Sequence, residues 1–181
     1  MDCDDLDFCP LQVGSPAPKF KCEAFFEDKF LNISLEDYKG RWVVLFFYPL
    51  DFTFVCPTEI MEFNKHAEDF HKENAQLLGI SVDSVFSHQA WGKELGKLNF
   101  PLLSDMTKEV SMNYGVLLED KGIALRGTFI IDHEGVLRAS TVHDLPVGRS
   151  VQETLRVLHA LQTGDLCPVG WEKGGKTLGK A

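Results

Sequence analysis

The chain has 181 residues, enough for one sizeable hydrophobic core and few for two. Hydrophobic residues make up 44% and charged residues 25%, the balance of a soluble globular domain. Lys and Arg number 18 against 27 Asp and Glu, a net charge of −9, which argues against nucleic acid because phosphates demand a basic face. The longest apolar run, Trp42 to Tyr48, is far too short to cross a bilayer. The acidic start, Met1-Asp2-Cys3-Asp4-Asp5, lacks the basic and apolar regions of a signal peptide, so no membrane partner and a cytoplasmic location are expected.

Phe30 to Leu35 predicts a short strand and Trp42 to Tyr48 a buried one. Thr58 to Asn74 has helical periodicity, with Ile60, Phe63, Ala67 and Phe70 at spacings of three and four. Gln76 to Val82 predicts the next strand. Phe86 to Leu98 predicts a helix with Trp91, Leu95 and Leu98 on one face. A short helix follows Leu102 and Leu103, over Thr107 to Tyr114. Thr128 to Ile131 and Val136 to Thr141 then flank Asp132-His133-Glu134-Gly135, a hairpin turn. The last helix opens at Ser150, with Glu153 completing a capping box, and ends near Gly164. Strands alternating with helices and closed by a hairpin predict an α/β domain with a central mixed sheet flanked by helices. The expected organisation is a flexible acidic tail over residues 1–12, one domain over 13–163, and a tail over 164–181 that carries Cys167.

The chemistry concentrates in Pro49-Leu50-Asp51-Phe52-Thr53-Phe54-Val55-Cys56, with Pro57 directly behind it. A cysteine between a buried strand and a helix sits where unpaired N–H groups and the helix dipole favour an anion. That environment suits a nucleophilic thiolate. Pro57 donates no backbone hydrogen bond and suits the start of a helix. Pro49 stiffens the turn out of the strand. A tight turn over residues 53–56 would bring the Thr53 hydroxyl to the sulfur or to an oxygen bound beside it. The odd set Cys3, Cys9, Cys22, Cys56 and Cys167 includes no C-x-x-C pair, which argues against a zinc ribbon, a local dithiol or a disulfide framework. Cys3 and Cys9 read as plain exposed thiols. None of the six histidines lies in a motif that would place it beside Cys56, against a Cys/His hydrolase.

These residues resemble the P-x-x-x-T-x-x-C signature of the typical two-cysteine peroxiredoxins, the group of bacterial alkyl hydroperoxide reductase C and thioredoxin peroxidase. The similarity extends through Ser81-Val82-Asp83-Ser84, Ser87-His88-Gln89-Ala90-Trp91, Arg126-Gly127-Thr128-Phe129-Ile130-Ile131-Asp132, Asp144-Leu145-Pro146-Val147-Gly148-Arg149-Ser150 and Cys167-Pro168-Val169-Gly170-Trp171. The resemblance spans about Val13 to Trp171. It implies a thioredoxin fold and a thiol peroxidase that needs no metal or other cofactor.

The family's roles carry over residue by residue. Cys56 would attack the peroxide, Thr53 would hold it, and Pro49 would shield the sulfur from water. Arg126 would stabilise charge on the breaking O–O bond, oriented by Glu59 and Arg149. Such help is needed because an ordinary cysteine is about 3% thiolate at pH 7, so full ionisation alone raises reactivity only about 30-fold. The resemblance makes Cys167 the resolving thiol, acting on the partner subunit of a head-to-tail homodimer. It further implies decamers of five dimers, a hydroperoxide substrate, and reduction by thioredoxin or a dedicated flavoprotein reductase. A ring-forming holdase chaperone is the alternative function. Lys93 to Phe100 does not read Gly-Gly-Leu-Gly, and the tail after Trp171 has no Tyr-Phe pair. A bacterial-type enzyme that resists over-oxidation is therefore expected.

Overall fold

A computed structural model describes residues 11–180, so most of the acidic tail expected over 1–12, with Cys3 and Cys9, lies outside the described residues. In chain order the elements are β1 (Lys21–Phe26), β2 (Lys29–Ser34), a 3₁₀ turn (Leu35–Tyr38), β3 (Trp42–Phe47), α1 (Cys56–Lys65), α2 (Ala67–Lys72), β4 (Ala75–Ser81), α3 (Val85–Leu95), β5 (Leu102–Ser104), α4 (Glu109–Asn113), β6 (Leu117–Leu118), β7 (Ile123–Ala124), β8 (Arg126–Ile131), β9 (Leu137–His143) and α5 (Val151–Thr163). Seven strands form one mixed sheet in the order β2-β1-β5-β4-β3-β8-β9, and β6 and β7 make a small separate hairpin. The predicted α/β class with a central mixed sheet is what the chain adopts.

Strand β3 explains the rest of the architecture. It pairs in parallel with β4 and antiparallel with β8. Helices cover both faces, so its side chains are apolar on both sides rather than alternating with polar ones. Val43, Leu45 and Phe47 enter one core with Leu78, Ile80, Phe129 and Ile131. Val44, Phe46 and Tyr48 enter the other with Cys56, Ile60, Phe63, Phe70, Trp91 and Leu158. The second core carries the chemistry, because α1 and its first residue, Cys56, pack there.

The chain departs locally from the sequence-based expectations. Strand β1 was not foreseen, although its burial alternates at Cys22 and Ala24; neither was the β6–β7 hairpin. The helix expected over Thr58 to Asn74 is two helices, broken at His66 (φ −98°, ψ 7°), whose ring lies between Glu62 and Asp69. The apolar face survives the break, since Phe63 and Phe70 join the same core. At α5 only half of the capping box forms: Ser150 Oγ accepts from the Glu153 amide, while the Glu153 carboxylate turns to Arg156 instead.

Candidate active site

The sheet register decides which residues meet. Phe46 lies opposite Thr128 in the antiparallel β3–β8 pair. Side chains two apart on a strand share a face, so Arg126 points to the same side as Phe46 and Thr128, the side that α1 covers. Chain reversal at the end of β3 then brings Cys56 over the start of β8. Arg126 Nη1 donates to Cys56 Sγ at 3.4 Å and to Glu59 Oε2 at 2.6 Å, and its Nε donates to the Leu145 carbonyl at 2.7 Å. Cys56 is fully buried, and Glu59 and Arg126 are nearly so.

Glu59 joins the two arginines. Its Oε1 accepts from the Arg149 amide at 2.9 Å and Arg149 Nε at 2.7 Å, and its Oε2 accepts from Arg149 Nη2 at 2.9 Å. Arg149 Nη1 also donates to the Gly127 carbonyl at 2.7 Å, tying it to the strand that bears Arg126. The Arg149 guanidinium lies 5.6 Å from the ring centre of Phe46 and 5.9 Å from that of Phe63, the cation facing two aromatic rings. Burial raises the Glu59 carboxyl, but hydrogen bonds and charge from Arg149, with Arg126 behind, outweigh it and hold the group below the usual carboxylate range. A carboxylate bonded twice by one guanidinium is a rigid clamp.

Helix α1 opens at Val55 with no side-chain cap and with Pro57 in its first turn. Pro57 has no N–H, and the Thr58 and Glu59 amides donate to the Val55 carbonyl at 3.0 and 3.3 Å, so the helix start presents the Cys56 amide itself. Pro49 is buried at the base of the loop. The half-buried Thr53 hydroxyl donates to the Leu50 carbonyl at 3.1 Å, not to the sulfur. The tight turn expected over 53–56 falls earlier, at Asp51 and Phe52, with Phe52 in the left-handed region at φ +54°.

Cys167 stands outside this cluster. Its sulfur lies 3.5 Å from Thr163 Oγ1 and 3.8 Å from the Ala160 carbonyl, at the end of α5. Leu166, Val169 and Leu178 beside it are exposed. Cys22 is buried on the opposite side of the sheet, and burial pushes its thiol up to about 12. Sequence reasoning also passed over Asp51 and His88, whose fully buried side chains meet at 2.8 Å beneath the loop, although both fall inside motifs that carry the resemblance.

The AhpC/TSA family model matches residues 13–140. The chain belongs to that family. It is 55% identical to Peroxiredoxin-2 of Bos taurus over 94% of this chain and 90% of that protein. A putative peroxiredoxin in a rubredoxin operon of Clostridium pasteurianum is also 55% identical, over 92% of this chain and 98% of the other. The solved reduced 2-Cys peroxiredoxin of Plasmodium vivax superposes with a TM-score of 0.90 at 43% identity, covering 93% of each chain. The fold is accordingly the thioredoxin fold of the peroxiredoxins, the class is typical two-cysteine, and the activity is that of a thiol peroxidase. As a peroxiredoxin the chain acts on peroxides and assembles as a homo-oligomer.

Proposed function

We propose that the chain reduces hydrogen peroxide and organic hydroperoxides at Cys56 and closes the cycle through a disulfide with Cys167 of the partner subunit. The observation that carries this reading is the Arg126–Cys56 contact, buried at an uncapped helix mouth. The sulfur's electron pair bonds to one peroxide oxygen, the O–O bond breaks, and the departing oxygen takes a proton to leave as water or an alcohol. Cys56 becomes a sulfenic acid. Two guanidinium groups share the single Glu59 carboxylate, which leaves positive charge beside the sulfur where negative charge grows. Thr53 commits its hydrogen to Leu50, so its oxygen lone pairs accept the peroxide's own O–H. Pro49 offers no N–H and keeps water from the sulfur. Glu59 and Arg149 hold Arg126 in place.

The sulfenic acid condenses with the Cys167 thiol and releases water. Cys167 lies apart from the Cys56 cluster, and the exposed apolar residues around it suit cover by a second copy. A dithiol donor, thioredoxin or a dedicated flavoprotein reductase, then restores both thiols. Assembly of dimers into decamers is proposed through a second apolar patch, where the exposed Phe30 and Phe86 rings sit 5.4 Å apart edge-to-face. Free Cys22, Cys56 and Cys167 fit a reducing compartment, and the cytoplasm is the proposed location.

Peroxide treatment should produce a dimer on a non-reducing gel that is absent from both Cys56→Ser and Cys167→Ser. Only Cys56→Ser should lose dimedone-trapped sulfenic acid. The same dimer from the Cys167→Ser protein would overturn the resolving role.

A further inference from the structure

The loop that leads to Cys56 carries its densest set of hydrogen bonds at its start. Asp51 Oδ1 accepts from the Tyr48 hydroxyl at 2.8 Å, and its Oδ2 accepts from Ser87 Oγ at 2.7 Å and lies 2.8 Å from His88 Nδ1. The Asp51 and His88 side chains have no solvent exposure. The Asp51 amide donates to Asp83 Oδ2 at 2.9 Å, and Ser81 Oγ donates to the same oxygen at 2.7 Å. His88 Nε2 lies 3.0 Å from the Leu103 carbonyl. Asp51 is thereby bound to α3 and the end of β4, and through His88 to β5. Beyond Asp51 the support thins: Phe52 turns at φ +54° with its ring 6.1 Å from that of Trp91, the Thr53 hydroxyl bonds only back to the Leu50 carbonyl, Phe54 is 96% exposed, and α1 begins without a side-chain cap.

Proton counting narrows where the hydrogens of the anchor lie. A carbonyl only accepts, so His88 Nε2 carries a hydrogen. Two hydroxyls donate to Asp51, an arrangement that suits a carboxylate, and a carboxylate requires Nδ1 to donate as well. That count puts a hydrogen on both ring nitrogens of His88, with Asp83 and the Tyr48 phenol as its other titratable neighbours.

We propose that Asp51 and His88 are positioning residues: their ion pair is the fixed pivot of the Cys56 loop and Phe52 is its hinge. Opening toward Cys167 moves residues 52–58 and leaves Pro49, Leu50 and Asp51 in place. This rests on the proposed disulfide between Cys56 and Cys167, for which the buried sulfur has to leave its place on α1. The pivot then acts in opposite directions on the two steps. Peroxide reduction needs the loop closed with the sulfur on Arg126, whereas condensation of the sulfenic acid with the Cys167 thiol, with loss of water, needs the loop open.

Two measurements test it. Nitrogen-15 NMR of the reduced wild-type protein should show a hydrogen on both ring nitrogens of His88 at neutral pH; a singly protonated ring overturns the ion pair. Asp51→Asn keeps the shape, since its amide can accept from Tyr48 and donate to a neutral His88. Stopped-flow kinetics should show sulfenic acid formation slowed at least about 10-fold and disulfide formation accelerated several-fold. Equal slowing of both steps, or no change in either, overturns the pivot. Ser87→Ala, which removes one donor from Asp51, should shift both rates in the same senses by smaller factors and serves if Asp51→Asn does not fold. Failure of the wild-type protein to form sulfenic acid at Cys56 would instead defeat the reading of the site, and the NMR result would stand apart from it.

Discussion

In the proposed reaction Arg126 must do three things with one guanidinium: reach the sulfur, bond Glu59, and accept orientation from the Leu145 carbonyl. A lysine ammonium is a point charge without the planar fork and cannot hold all three directions. Arg126→Lys is therefore expected to slow peroxide reduction about 10²–10³-fold, the usual cost of losing one donor to developing charge, as read by stopped-flow consumption. Cys22 offers the opposite case. Its thiol is raised to about 12 mainly by burial, with Asp105 and Glu109 adding to it. A thiol raised in the folded state contributes stability that is complete below the unfolded value of about 8.5 and fades as pH climbs toward the folded one. Folded protein at pH 8 should take up alkylating reagent at Cys56 or Cys167 and not at Cys22, and Cys22→Ala should keep its peroxidase rate. Rapid labelling of Cys22 in the folded protein would contradict this.

Among the elements, α1 and α5 present opposite ends to the two cysteines. Cys56 occupies the first turn of α1, at the positive end of the helix dipole, while the Cys167 sulfur contacts a carbonyl in the last turn of α5. The packing that holds α1 down is aromatic: Phe63 stacks on Phe46 with ring centres 4.1 Å apart, and Phe46 also meets Phe100 edge-on. Helix α5 is held at its start by Ser150, whose hydroxyl satisfies the Glu153 amide. Because the Glu153 carboxylate pairs with Arg156 instead of closing the box, that single bond caps the helix. Ser150→Ala should cost about 1 kcal/mol, which for a domain of this size lowers Tm by about 2–4 °C. Arg149 directly precedes Ser150, so a melt and a peroxide assay on the same variant show whether fraying of α5 reaches the Glu59 clamp.

For the whole molecule, the exposed aromatic surface matters more than the net charge. Phe86 is 68% exposed on α3 and meets the half-exposed Phe30 of β2, an unusual amount of bare ring for a monomer. Phe86→Arg should shift sedimentation from the proposed decamers to dimers, because a buried unpaired guanidinium is strongly disfavoured at an interface. Unchanged decamers would move the proposed contact elsewhere. The disulfide-linked dimer should survive the substitution, since Cys167 lies on a separate element. Loss of peroxide turnover in these dimers would indicate that assembly supports the Cys56 loop through α3, the same helix that carries Ser87 and His88.

Much of this was legible in local patterns. Apolar runs marked β3 and β4, three- and four-residue spacings marked α1 through α3, and Ser150 marked the start of α5, because hydrophobic period and cap chemistry are short-range properties. The strand–turn–helix context of Cys56 likewise needs only neighbouring residues. What the chain order conceals is who faces whom. Arg126 reaches Cys56 because β8 pairs antiparallel with β3 in one register, and a shift of one residue would turn it to the other face. The same holds for Glu59 and Asp51: each owes its place to a partner brought from a distant segment, Arg149 and His88. Even the break at His66 depends on Glu62 and Asp69 closing around one ring. Local physics chose the elements, and the pairing of strands, a long-range event, chose the charges that meet at the sulfur.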